Sequence, residues 1–326
     1  MTESQEGGGA VAGAWRRVTG NRRRLAAGTL VLCTALAVPV TVHAVSESDV
    51  TTGARADGAR PGSDPERPDR EPTRQEKDAL YRAEQLLLRD CMRRHGFVYQ
   101  PVPENPVPEA REFPYVVDDV AWARRHGYGS DIERESARLR AADPNQRYFR
   151  SLPPERRAAA LAAANGRRPV GLTAKNPDGM TLTRSDQGCR TDAERALYGD
   201  VQTWFQARST AGGLPDVRRS RVLADPRFAK AAKPWARCMR AAGHPYDTPA
   251  DLRRELPPSD RPLPRRQEVQ LAVAEATCAG TSGLAETAAS LDRQYDHELR
   301  QRHRADLETG YRLQLAAVPR ARSVVK

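Results

Sequence analysis

The residues of this chain that could do chemistry are few: cysteines, scattered histidines and two matched tyrosines. Cys91-Met92-Arg93-Arg94-His95-Gly96-Phe97-Val98-Tyr99 and Cys238-Met239-Arg240-Ala241-Ala242-Gly243-His244-Pro245-Tyr246 share the pattern C-M-R-x-x-G-x-x-Y, offset by 147 residues. Cys91, Cys189, Cys238 and Cys278 are an even set, which in an oxidising compartment reads as two disulfides. Three connectivities are possible. One later cysteine follows each copy of the motif, so the order-preserving pairing is Cys91–Cys189 with Cys238–Cys278. Zinc ligation by Cys91 with His95, or by Cys238 with His244, is the competing chemistry. The histidines do not align between the copies, and no metal is expected. His297-Glu298 with His303 fails the zinc-protease pattern, because six residues turn the second histidine roughly 120° away from the first.

Other reactive signatures are missing. The sequence has no G-x-S-x-G elbow, phosphate-binding loop or dinucleotide fingerprint. Asp118-Asp119 is an adjacent pair with no cleft to work in. No catalytic residue and no cofactor are expected. Tyr99 and Tyr246 admit two readings. With the nearby Trp235 and the Pro-rich loops they would line a recognition surface, or each would pack on its own disulfide. Tyr295 and Tyr311, beside Arg300, Arg302 and Arg304, offer a second surface for an anionic polymer or headgroup.

The elements that must hold these residues are helices. Thr73-Arg74-Gln75-Glu76 is a capping box that opens a helix carrying Leu80, Ala83, Leu87 and Cys91, closed by Gly96. Ser130-Asp131-Ile132-Glu133 reads as another box. A helix near Pro153–Ala164 stops at Asn165-Gly166, and 167–183 reads as a loop. The helix of Cys189 is expected to run on towards Trp204 and Phe205. Asp225-Pro226 starts the second motif helix, with Phe228, Ala231, Trp235, Cys238 and Ala242 as its stripe and Pro234 as a kink. The helix of Cys278 carries Val269, Val273 and Ala276. A last long helix carries Leu284, Leu291, Tyr295, Leu299, Leu307 and Tyr311. No strand pair stands out, so the expected class is all-α: a disulfide-stapled domain of two related halves, 73–215 and 216–326.

The rest of the chain bears on location. Arg16, Arg17, Arg22, Arg23 and Arg24 precede an uncharged run, 25–45. That length suits a membrane span with 1–24 cytoplasmic and the bulk outside, or a signal segment cleaved near Ala44. Residues 46–72 have almost nothing to bury and read as a disordered linker. The net charge is +11, from 48 Arg and 5 Lys set against 42 acids. The cations are dispersed among the acids, which speaks against nucleic acid as a partner.

The paired motifs, with Pro144 to Gly166, Gly188-Cys189 through Gly199 and Trp235 to Tyr246, resemble a group of exported actinobacterial proteins with paired C-M-x-x-x-G-x-x-Y motifs. The resemblance covers most of 73–300. It implies no activity. It implies an envelope setting, sometimes near export transporters and peptidoglycan-binding proteins. The expected function is a non-enzymatic extracytoplasmic protein that binds a partner protein or a cell-wall component. An envelope hydrolase with its carboxylates in the loops is the alternative.

Overall fold

The structure is a computed structural model that describes residues 70–258 and 260–326. In chain order these form α1 (Arg74–Arg94), α2 (Val120–His126), α3 (Ser130–Ala142), α4 (Pro144–Ser151), α5 (Pro154–Asn165), β1 (Gly171–Lys175), β2 (Thr181–Ser185), α6 (Cys189–Tyr198), α7 (Val201–Ala224), α8 (Pro226–Ala241), α9 (Pro249–Glu255), α10 (Arg265–Thr281), α11 (Leu284–Arg302) and α12 (Arg304–Val325). The expected segments 1–24 and 25–45, and the linker up to residue 69, lie outside the described residues. Among the described residues no helix is long and apolar enough to cross a membrane.

The two copies of the motif fold into the same local structure, and its physical content is a helix terminus. In the first, the Gly96 N–H donates to Arg93 O (2.9 Å) and the Phe97 N–H to Met92 O (3.0 Å). In the second, the Gly243 N–H donates to Arg240 O (3.0 Å) and the His244 N–H to Met239 O (2.8 Å). This nested pair satisfies carbonyls that a helix end leaves free, and it needs a left-handed residue just past the cap. Gly96 (φ 75°) and Gly243 (φ 84°) supply it. The motif's methionine is buried in both copies, and its cysteine lies one residue before that methionine, in the last turns of α1 and α8. A Cβ at Gly243 would meet nothing within 4 Å, so Gly243→Ala isolates the backbone cost. It should lower stability by about 1–2 kcal/mol, read by chemical denaturation. An unchanged midpoint would contradict this account of the motif.

Both disulfides form in the expected pairing, Cys91–Cys189 and Cys238–Cys278. The likeness between the copies stops at the partner helix. Cys189 is the first residue of α6, whereas Cys278 is in the last turn of α10.

α7 is the spine, packed against β1, α6, α8, α11 and α12. It runs unbroken through Pro215, so position 215/216 falls inside a helix, and α12 lies along α1. The largest core surrounds Trp235, Met239, Leu252, Leu284 and Leu291. A second, between α1, α6, α7 and α12, holds Leu80, Ala83, Leu197, Tyr198, Trp204, Ala317 and Ala321.

Several local expectations are corrected. The segment read as a loop contains the antiparallel hairpin β1–β2, with Thr173 opposite Thr183. Its Leu172 and Ala174 pack on Val201 and Phe205 of α7. The free edge of β1 is closed by two side chains. Gln202 accepts from the Thr173 N–H (3.2 Å) and donates to its carbonyl (2.6 Å), and Gln206 does the same for Lys175 (2.9 Å each). Four helical residues advance about 6 Å and two strand residues about 6.6 Å, so i,i+4 glutamines can mimic a third strand. The Cys189 helix ends at Tyr198, where Gly199 (φ 75°) turns the chain, and α7 begins anew behind its Asp200 cap. In α8, Pro234 does not end the helix, and the buried stripe is Phe228, Ala232, Trp235, Ala236 and Met239, leaving Ala242 exposed. The Thr73 capping box forms as expected, but order begins before it. Arg70 pairs with Glu76 (2.7 Å), and Glu71 accepts from the Tyr311 hydroxyl (2.8 Å).

The Ser130 box does not form. Gly129 is the N-cap of α3, and the Ser130 hydroxyl donates to Glu268 Oε2 of α10 (2.6 Å). Glu268 Oε1 also accepts from the Tyr128 N–H (2.9 Å) and the Ser130 N–H (3.1 Å). A carboxylate from another helix therefore caps α3, and it fits because residue 127 is glycine. A Cβ there would fall 2.7 Å from Glu268 Cγ.

Candidate binding groove

The alternative of a hydrolase calls for convergent carboxylates in an accessible cleft. The buried and half-buried carboxylates described next are occupied with holding helices together. Glu275 (0% exposed) accepts from the Val117 N–H (3.1 Å) and the Tyr128 hydroxyl (2.8 Å). Glu194 is held by Arg184 and by Arg208 (2.8 Å). Glu84 accepts from the Tyr198 hydroxyl (2.6 Å). Burial pushes the Glu84 and Glu275 carboxyls up. Neither lines either of the cavities below.

The histidine expected to stand apart from metal chemistry is brought close to sulfur. A nitrogen of His95 and the sulfurs of Cys91 and Cys189 lie within 4.8 Å of one another. Both sulfurs are joined to each other, which removes them as thiolate ligands.

An open groove of about 690 Å³ lies at the end of the second motif. One wall is the turn after α8, with Ala242, His244 and Tyr246. The facing wall is α10, with Gln267, Gln270, Leu271, Val273 and Ala274. Leu256, Pro257 and Leu263 of the Pro-rich connection between α9 and α10 complete it. Its lining is mostly apolar, with Glu255, His244 and the two glutamines as the polar groups. The Cys238–Cys278 disulfide joins α8 to α10 and so ties one wall to the other.

The five aromatics singled out in the sequence take different places. Tyr246 is half-buried, lines the groove and packs against the main core around Trp235. Its hydroxyl makes no hydrogen bond among the described residues, unlike that of Tyr99, which donates to Gln85 Oε1 (2.7 Å). Tyr99 packs in the cluster around Cys91 and Cys189. Trp235 is 0% exposed at the centre of the main core, so it offers nothing to a partner in this conformation. Tyr295 donates to Asp225 Oδ2 (2.8 Å), the cap of α8. Tyr311 borders a small cleft of about 220 Å³ with Trp204, Arg208 and Leu307.

Of the three cations expected to form a basic surface beside Tyr295 and Tyr311, two are neutralised, and Arg302 is exposed without an ion-pair partner among the described residues. Arg300 pairs with Asp296 (2.8 Å) and Glu71 (3.1 Å), and Arg304 with Glu308 (2.7 Å). Glu71 reaches Arg300 across a sequence separation of 229 residues, which no local charge count reveals.

With the fold and groove in view, the comparisons add no relative: no protein-family model, no curated protein and no solved structure matches the chain.

Proposed function

We propose that this is a non-enzymatic extracytoplasmic envelope protein, tethered by its 25–45 segment, that seats a partner in the groove beside Tyr246. The partner is a protein segment or a cell-wall component, in the setting of an export system. The observation that carries the reading is the disulfide between the groove's two walls. A preformed apolar groove held by a covalent brace loses little conformational freedom on binding, which favours affinity. Two disulfides suit an oxidising compartment. The engagement of the buried acids in capping and ion pairs weighs against the hydrolase.

The test uses full-length protein in its native envelope, with a photoreactive side chain in place of Leu263. Tyr246→Ala should lower crosslinking per folded molecule about tenfold, the effect of losing an aromatic anchor, with a smaller loss of stability than Tyr99→Ala because the Tyr246 hydroxyl holds no partner among the described residues. Tyr99→Ala should behave oppositely. It should destabilise the domain by about 3 kcal/mol and leave crosslinking per folded molecule unchanged. If Tyr246→Ala costs as much stability as Tyr99→Ala and crosslinking persists, Tyr246 is a packing residue and the groove reading fails.

A further inference from the structure

α8 carries five cations, Arg227, Lys230, Lys233, Arg237 and Arg240, and no acid. Among the described residues it is the only helix longer than eight residues without an Asp or Glu. Its buried residues, centred on Trp235 and Met239, define the inner face. At about 100° per residue, Lys230 and Arg237 fall nearly opposite that face and Lys233 falls to one side. All three are exposed. None has an ion-pair or hydrogen-bond partner among the described residues, in contrast to Arg300 and Arg304. Arg227 pairs with Asp225 (2.8 Å) and Arg240 with Asp247 (3.0 Å), at the two ends of the row.

We propose that this stripe binds a linear polyanion bearing phosphodiester groups, laid lengthwise along α8. The three unpaired charges span about 10 Å of helix, close to one screening length at physiological salt, so they act together on one chain of anions. Two of them are lysines, in a protein with only 5 Lys against 48 Arg. A lysine ammonium is a flexible point charge that meets a phosphate without a fixed fork geometry. A single row suits a chain rather than a plane. Anionic membranes are recognised by clusters of roughly four to eight cations, and α8 has three free. The outer face carries no aromatic ring on which a base would stack, which argues against single-stranded nucleic acid. The groove is not part of this surface, so the two proposals fail separately.

The test is titration of the full chain, held in neutral detergent, with poly(glycerol phosphate). Phosphatidylglycerol vesicles and a single-stranded oligonucleotide serve as the other arms. Lys230→Gln/Lys233→Gln/Arg237→Gln should weaken polymer binding about a hundredfold, from about fivefold per cation. The log–log salt slope should fall from about −2 towards zero. Arg300→Gln/Arg304→Gln and Tyr246→Ala should leave polymer binding unchanged. If the triple variant folds poorly, Lys230→Gln/Lys233→Gln should still lose about twenty-fivefold. Polymer binding within twofold of the parent in a folded variant would overturn the proposal. So would a loss confined to the vesicles, or oligonucleotide binding at least tenfold tighter than the polymer's, the mark of base contacts that a row of cations does not supply.

Discussion

Replacing Cys91 and Cys189 together by serine should destabilise the protein by about 4–5 kcal/mol, the largest effect expected of any paired substitution described here. The bridge closes a loop of 98 residues between the end of α1 and the start of α6. In the unfolded chain that closure removes conformations roughly as the logarithm of loop length. Both sulfurs are buried among Leu88, Met92, Phe97 and Ala160, so the serine hydroxyls would add a desolvation cost of their own. The Cys238–Cys278 bridge closes only 40 residues, and its double-serine variant should lose slightly less, about 4 kcal/mol. Urea unfolding of both pairs, with non-reducing peptide mapping of the parent, checks the ranking. A loss under about 1 kcal/mol for Cys91/Cys189 would mean that packing of α1 on α6 suffices without the bridge.

Glu275→Ala should cost about 3–5 kcal/mol. Removing the carboxylate leaves the Tyr128 hydroxyl and the Val117 N–H without their acceptor, in a site with no solvent access. Arg253, half-buried near Glu275 and bonded to Phe113 O (2.5 Å) and Pro114 O (3.1 Å), loses its nearby counter-charge. Glu275→Gln keeps an acceptor and should cost less. The two variants also differ from the parent in pH dependence. Burial holds the Glu275 carboxyl above the usual carboxylate range. Its contribution is therefore fully present below the usual carboxylate range and is lost as pH rises from there through the raised folded value. Glu76, held down to about 2 mainly by Arg70 and the Thr73 N–H, works in the opposite direction. So does Asp225, held well below the usual range first by Arg227. Their stabilisation is present above the usual carboxylate range and is lost as pH falls through their folded values. Stability measured from pH 7 downwards should first gain from Glu275 and then fall. In Glu275→Gln the initial gain should be smaller, and an identical profile would count against the buried-acid account.

The helices announced themselves because their signals are local. Thr73 with Glu76, Asp225 with Pro226, and Asn165-Gly166 are caps made by neighbours in sequence. The repeated motif was visible as a repeat, and its meaning as a helix terminus follows from the left-handed glycine. The hairpin was harder to see. Its outward residues, Thr173, Lys175, Thr181 and Thr183, are polar, and only Leu172, Ala174 and Leu182 alternate as apolar groups. Its edge is completed by Gln202 and Gln206, which read as ordinary surface residues of α7. The acids of α10 were missed for a related reason. Glu268, Leu271, Ala272, Glu275, Ala276 and Ala279 share one buried face. Two acids recurring inside an otherwise apolar stripe were the available sign. Their partners, 128–130 and 117, are too far away in sequence to suggest the pairing. The groove was half legible. Tyr246 and the Pro-rich connection were marked out, but the facing wall of α10 depends on how α8 and α10 pack.

The docking of α12 along α1 has a consequence for the nascent chain. Leu80 and Ala83 of the first helix are covered by Ala317, Val318 and Ala321 of the last. At about 5–20 residues per second, synthesis of the intervening chain takes roughly 10–40 s. Until then, the apolar face of α1 lacks the cover that Ala317, Val318 and Ala321 give it. The polypeptide therefore cannot complete this helix pair until α12 has been made, and losing the final turns of α12 would expose the first helix rather than merely shorten the last.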